Sequence, residues 1–449
     1  MGQDSSATVV PSVAERAASS ISPLHRLPVE LLCSIFLLFL DGDAEQNARE
    51  LGILQRVCGG WQALAQAPRL WADVAIIASE SRIIDLGRLH ERLRRSKAVP
   101  LCIVMESPDP EEISRDEGES AEAVHLNDAE EAIFREAARV FRPHLCRTRS
   151  LTVALKSDVA VQAVFPLRSP LPSLETLDIT LHDTVSSELC SKVPLFAPHT
   201  KYAIDELAIN AECMDAAVLD SVVAYRLRSL RIIVRSHLGL RLMRLLSQAE
   251  KLESLKISDS DGTSDTKQSF NVHTPFLYNV EIPGHHLMGL ISSWNAPRLT
   301  HLTVIPQLNE MQFPRPVTFP SLRTLTVTSR QRHAPHPNFA QIFQWIPSLV
   351  GIDIPSYTGF ATRILNTLLA KEICPHLKLI RLRAYHSDFP SVVPALRNFL
   401  QGREDVSVDL HVLSKQNGGH AFNFQDKYPT RVTLSSNAPP LSTVVDVLL

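Results

Sequence analysis

Apolar positions recur in a fixed order along most of the chain, from about residue 140 onward. Ten segments share the order anchor, two spacers, anchor, one spacer, anchor, and successive second anchors lie 22 to 30 residues apart. The second and third anchors alternate with a polar or small residue, which is the period of a β-strand with one buried face. These anchor pairs are Leu151/Val153, Leu177/Ile179, Leu207/Ile209, Leu230/Ile232, Leu255/Ile257, Val280/Ile282, Leu302/Val304, Leu325/Val327, Ile352/Ile354 and Ile380/Leu382. The pattern predicts ten short strands.

The residues between the predicted strands favour helices. Apolar residues stand at helical spacing from Leu240 to Leu246, and again at Ile364, Leu365 and Leu368. Proline precedes the first anchor by two residues in six segments: Pro172, Pro275, Pro297, Pro320, Pro347 and Pro375. Proline lacks an N–H and ends the preceding element. A strand–helix unit of this size cannot bury its apolar face alone, so neighbouring units must stack. Alternation at Val406–Val412 predicts one further strand.

A different pattern occupies residues 24–74. A first predicted helix carries large apolar side chains around nearly its whole circumference, from Leu31 to Leu40. A polar loop at 41–50 separates it from a second helix, whose apolar stripe is Leu51, Leu54, Val57, Trp61 and Leu64. One face of the first helix meets the second, and nothing in the segment covers the other face. We therefore expect a partner surface there, the alternative being a plain hairpin covered by the repeats.

Two stretches have the composition of flexible chain. Residues 1–22 are small and polar, which predicts a disordered tail. Residues 106–131 contain eleven acids and a single base, Arg115. This density predicts a solvated, mobile insertion in the first repeats, and an acidic contact site for a basic partner stays open as the alternative.

Composition narrows the classes of function. The net charge is −3, so no overall positive field favours nucleic acid. The seven cysteines are widely spaced without a C-x-x-C pair, which predicts reduced thiols and neither disulfides nor a metal site. The longest apolar stretch is too short to cross a membrane. Glycine-rich phosphate loops and the common hydrolase motifs are absent, so we expect no cofactor and no catalytic residue, although a dyad assembled across repeats stays open. Location in the cytoplasm, the nucleus or both is expected.

The N-terminal segment resembles an F-box. The resemblance lies in Leu27-Pro28-x-Glu30-Leu31-Leu32-x-x-Ile35-Phe36, then Val57-Cys58-x-x-Trp61 and Pro68-x-Leu70-Trp71. F-box modules dock on the Skp-type adaptor of cullin–RING ubiquitin ligases, so the resemblance implies this partner. The adaptor-binding residues that it implies, some of them partly in the core, are Leu27, Pro28, Leu31, Leu32, Ile35, Phe36, Val57, Cys58, Trp61, Leu70 and Trp71.

Residues 100–412 resemble leucine-rich repeats of the strand–helix type, in the degenerate form common in fungal F-box proteins. The expected fold is α/β, with a small all-helical F-box module followed by an irregular leucine-rich-repeat solenoid that has a parallel sheet. The expected domains are a tail at 1–22, an F-box at 23–78 and the solenoid at 79–449, with the acidic insertion at 106–131.

The two resemblances together predict a non-catalytic substrate-recognition subunit of an SCF-type ubiquitin ligase. The F-box would bind the adaptor, and the concave face of the repeats would hold an unknown protein substrate. Candidate contacts on that face are Asp178, Thr180, Arg231, Lys256, Thr303, Thr326, Asp353, Arg381 and Arg383, several of which could simply be solvated. Neither nucleic acid nor a membrane is expected as a partner. The alternatives are a repeat scaffold without ligase association and an enzyme.

Overall fold

The structure is a computed structural model of the chain. It describes residues 27–40, 44–77, 86–107, 122–165, 171–182, 185–186, 189, 201–210, 217–234, 239–259, 272–283, 294–305, 319–328, 343–344, 346–355, 359–370, 372–384, 389–412 and 431–435. The predicted tail at 1–22 lies outside these residues.

The N-terminal module contains three α-helices, α1 (Val29–Phe39), α2 (Ala44–Leu54) and α3 (Gly59–Leu64), followed by a 3₁₀ turn at Pro68–Trp71. Two expectations are corrected here. Most of the predicted loop at 41–50 is the first part of α2. The predicted second helix is interrupted after Leu54, so Gly59 and Gly60 open α3 instead of lying inside a helix. Glycine at a helix start costs less than glycine in a helix interior, because the first N–H groups have no helical partner.

Sixteen strands occur in the described residues. They are β1 (Asp73–Ile77), β2 (Leu101–Glu106), β3 (Thr148–Leu155), β4 (Thr176–Leu181), β5 (Glu206–Asn210), β6 (Ser229–Val234), β7 (Ser254–Asp259), β8 (Val272–His273), β9 (Asn279–Pro283), β10 (Trp294–Asn295), β11 (His301–Ile305), β12 (Thr324–Val327), β13 (Gly351–Pro355), β14 (Leu379–Ala384), β15 (Ser407–Val412) and β16 (Val432–Ser435). All except β8 and β10 form one parallel sheet, whose spatial order follows chain order. The α/β class is confirmed.

The ten predicted anchor pairs all lie in strands, from β3 to β14 with β8 and β10 left out. Strand pairing sets each second anchor beside the next one, as Leu151 beside Leu177 and Ile352 beside Ile380. The ten second anchors are at most 3% exposed. Burying one such side chain stabilises the fold by about 1.5–3 kcal/mol, so this row makes a large contribution to the core. The strand predicted at Val406–Val412 is present as β15, whereas β1, β2, β8, β10 and β16 were not predicted.

The repeated prolines stand in a turn that leads into the strand. In the six segments that carry the proline, the amide of the first anchor donates to the carbonyl three residues earlier, as Leu277 to Thr274 at 3.2 Å and Leu377 to Cys374 at 3.2 Å. Each proline therefore occupies the second position of a four-residue turn, where its fixed φ is favourable. The prolines thus shape the turn as well as ending the preceding element.

Helices occupy several of the connections between strands. They are α4 (Leu86–Arg95), α5 (Glu122–Phe141), α6 (Asp158–Val164), α7 (Ala217–Ser221), α8 (Gly239–Gln248), α9 (Phe360–Leu368) and α10 (Phe389–Gly402). Before β9 and β11 the short strands β8 and β10 pair with each other.

The acidic segment at 106–131 is not wholly a loop. Glu106 is the last residue of β2, and residues 122–131 form the first half of α5. Alanine and glutamate are good helix formers, and their propensity accounts for helix in a segment that charge density alone assigned to solvent. Residues 108–121 lie outside the described part of the chain.

Candidate functional site

Helix α1 carries an exposed apolar stripe. Leu31 is 52% exposed, Ile35 44%, Leu38 78% and Phe39 54%. At about 100° per residue these four side chains fall on one side of the helix. Exposing a row of large apolar groups is costly in water, so the stripe has the character of a contact surface.

The opposite side of α1 packs into the core of the module. Phe36 meets Trp61 of α3 edge-on, with ring centroids 5.0 Å apart, and is only 2% exposed. Leu32 and Leu70 are buried as well. These three predicted adaptor-binding side chains are buried, and their contact with an adaptor stays a prediction.

The remaining predicted contact residues lie just before α1 or at the start of α3. Pro28 is exposed and Leu27 half-buried, just before α1. Val57 is 55% exposed, while Cys58 and Trp61 are half-buried. Because Trp61 packs on Phe36, the start of α3 lies next to α1.

Trp71 joins the module to the sheet. Its indole N–H donates to the carbonyl of Ala65 at 2.8 Å, and the guanidinium of Arg95 in α4 lies 4.3 Å from its ring centroid. This cation–π contact links the helical module to α4, the helix between β1 and β2. Trp71 is 8% exposed, and its contact with an adaptor stays a prediction.

The nine predicted substrate contacts lie on the sheet face opposite the anchors, in two rows. The central row, between the second and third anchors, holds seven of them: Asp178, Arg231, Lys256, Thr303, Thr326, Asp353 and Arg381. Thr180 and Arg383 stand two residues further along their strands. The parallel register therefore brings together residues that are far apart in sequence.

Several of these side chains already have partners. Lys256 Nζ lies 2.8 Å from Glu281, and Arg381 Nε lies 2.8 Å from Asp409. Arg383 Nε donates to Asp353 at 2.8 Å and its Nη2 to the carbonyl of Val327 at 2.6 Å.

Burial distinguishes the two ends of this face. Asp353 and Arg381 are 8% and 3% exposed. Burial raises the pKa of the Asp353 carboxyl, against the opposing effect of Arg383 and Arg381. The C-terminal part of the face thus forms an internal ion-pair network, whereas Arg231 is exposed and Thr303 and Thr326 are half-buried.

Two charged members of the central row were not among the predicted contacts. Glu281 stands between the anchors Val280 and Ile282, so the rule that selected Lys256 selects it too. Asp409 holds the same position in β15 and pairs in register with Arg381. Both neutralise predicted contact residues.

The described residues contain no group of three or more histidine, cysteine, aspartate or glutamate side chains suited to a metal ion. None of the described helices is both long and apolar enough to span a membrane.

The F-box-like family matches residues 24–77, which cover the three-helix module and β1. The chain therefore contains an F-box-like domain, followed by a mostly parallel sheet. A search of the curated proteins found no match to this chain.

Proposed function

We propose that this protein is the substrate-recognition subunit of an SCF-type ubiquitin ligase. In this role the F-box-like domain binds a Skp-type adaptor, and the sheet domain holds a protein substrate near the ubiquitin-charged enzyme. The observation that carries the proposal is the exposed stripe of Leu31, Ile35, Leu38 and Phe39 on the domain that the family match identifies.

The mechanism is proximity. F-box proteins are typically non-catalytic, so the chain contributes binding surfaces and no chemistry of its own. We propose that the units from β3 to β15 are degenerate leucine-rich repeats of the fungal F-box type, because their in-register anchors and shared proline turns have that organisation. The proposed domains are the F-box at 23–78 and the repeat array at 79–449. The cytoplasm, the nucleus or both is the proposed location, where ubiquitin ligases of this class act.

The test is capture of a purified Skp-type adaptor by the full chain. The variant Leu31→Ala/Ile35→Ala removes two exposed side chains, so it leaves the core of the module intact. Truncating a central apolar contact typically costs an interface at least about 1–2 kcal/mol, so we expect adaptor affinity to fall at least about tenfold. Tyr225→Ala is the control, because Tyr225 is 63% exposed and lies in the sheet domain. Adaptor capture by the double variant equal to that of the control would refute the proposal.

A further inference from the structure

One row of residues lies immediately before the strands of the sheet. The pre-strand row is Glu175, Asp205, Arg228, Glu253, Tyr278, Thr300, Arg323, Val350 and Lys378. The backbone amide of each residue donates to the carbonyl of its predecessor in the row, as Arg323 to Thr300 at 2.9 Å and Lys378 to Val350 at 2.8 Å. These positions therefore follow one another at the strand spacing of about 4.8 Å.

The charged residues in the first half of the row all form ion pairs, with each other or with neighbouring arginines. Arg149 lies 2.6 Å from Glu175, and Arg228 lies 3.4 Å from Glu253. Asp205 is paired with Arg226 at 3.1 Å. These exposed pairs leave little net charge for a partner.

The second half of the row has a different character. A groove of about 780 Å³ begins at Tyr278 and ends at Lys378, and its aromatic and basic lining residues are Phe276, Tyr278, Arg298, Arg323, His376 and Lys378. The groove lining includes no aspartate or glutamate. In the part of the chain that the structure describes, Arg323 and Lys378 form no ion pair. The Arg298 guanidinium lies 5.2 Å from the Phe276 ring centroid, which holds that cation beside the aromatic end.

We propose that this groove binds an extended acidic segment of a protein partner. The positive charge of the lining favours a negatively charged ligand, and the exposed rings of Phe276 and Tyr278 favour an apolar side chain at one end. Describing the partner as the ligase substrate rests on the proposed function, whereas the binding itself does not require the adaptor.

The spacing of the row specifies the ligand further. Arg323 and Lys378 are separated by Val350, so their backbones lie two strand spacings apart, about 10 Å. An extended peptide rises about 3.3 Å per residue, so three peptide residues cover that distance. Tyr278 and Arg323 are separated by Thr300 in the same way. The favoured ligand therefore has an apolar residue followed by carboxylates three and six positions later.

The experiment measures binding of a labelled peptide to the full chain by fluorescence anisotropy. The probe has Leu at its first position and Glu at the fourth and seventh, in a background of Ser and Ala, and the comparison peptide carries Gln in place of both Glu. We expect the Glu peptide to bind at least about tenfold more tightly than the Gln peptide, and raising the salt to weaken only the former. Equal affinity for the two peptides would overturn the proposal.

Matched variants locate the site. Arg323→Gln/Lys378→Gln is expected to weaken Glu-peptide binding at least about tenfold, and Arg228→Gln by less than about twofold, because Arg228 holds the same row position but is paired with Glu253. An equal loss in both variants contradicts the groove, as does displacement of the peptide by a lower concentration of single-stranded oligonucleotide.

The adaptor assay separates this proposal from the proposed function. The groove variant should still capture the adaptor, and Leu31→Ala/Ile35→Ala should still bind the peptide. Failure of adaptor capture by the wild-type chain refutes the ligase role and does not affect the groove proposal. Failure of peptide binding refutes the groove proposal and does not affect the ligase role.

Discussion

Replacing Arg403 by methionine tests how the C-terminal end of the sheet is held. Arg403 directly follows α10 and its side chain is 0% exposed. Its guanidinium donates to the carbonyl of Leu368 at 3.1 Å, to that of Cys374 at 3.5 Å, and to both carboxylate oxygens of Asp405 at 3.1 and 3.2 Å. Methionine preserves much of the side-chain length and removes every donor.

The size of the effect follows from what each lost partner can do next. The Asp405 side chain is 40% exposed, so water replaces the guanidinium there at little cost. Leu368 is 0% exposed, and its orphaned carbonyl costs about 1–3 kcal/mol. The Cys374 carbonyl keeps the hydrogen bond from the Leu377 amide, so its loss is small. Removing a buried charge offsets part of this loss. We expect a net destabilisation of about 1–3 kcal/mol.

Hydrogen exchange followed by mass spectrometry shows where the loss falls. Stability in a stacked array is a sum of local terms, so the effect should stay near Arg403. Amides of β14, β15 and β16 should exchange about 5- to 150-fold faster, with β3 to β6 unchanged. Arg397→Met is the matched control, because Arg397 is exposed on α10, and it should change stability by less than about 0.5 kcal/mol. Unchanged exchange in β14 to β16 of Arg403→Met would show that these hydrogen bonds do not hold the end of the sheet.

Three shorter predictions concern other parts of the molecule. Phe36→Ala empties a buried ring site and should destabilise the helical module by about 3–5 kcal/mol, whereas Leu38→Ala should change it by less than about 0.5 kcal/mol; equal thermal unfolding of the two variants contradicts this packing. Burial raises the pKa of the Cys374 thiol to about 12, so at pH 8 Cys374 should react with a disulfide reagent far more slowly than the exposed Cys146, and equal rates would oppose it. Hydrogen bonds from Arg94 and Arg95 lower the pKa of Glu91 to about 2, so its stabilising effect is complete above about pH 4.5 and disappears as the pH falls toward 2; an acid-unfolding curve unaltered in Glu91→Gln excludes this linkage.

The periodic elements were predictable because the alternation of apolar and polar residues along the chain reflects which side chains are buried. Val280 and Ile282 alternate with one polar residue, and this pattern alone indicates a strand with one covered face. The two-sided apolar character of α1 likewise predicted that one side would stay open, and Leu31 and Ile35 are indeed exposed. Breaks and short edge strands have no such period. The interruption after Leu54 and the strand β16 therefore escaped prediction.

Local sequence also decided which face of each strand is polar, but it could not decide which polar side chains are available. Asp353 and Arg383 are 30 residues apart, and only the parallel register brings their side chains to 2.8 Å. Among the residues that the structure describes, the same register leaves Arg323 and Lys378 without acidic partners, although they hold the same pre-strand position as the paired Arg228. Charge pairing across strands depends on distances set by the whole sheet. The sequence by itself thus determined the helical module, the strand rows and the polar face, whereas the tertiary structure decided which side chains are exposed, buried or neutralised.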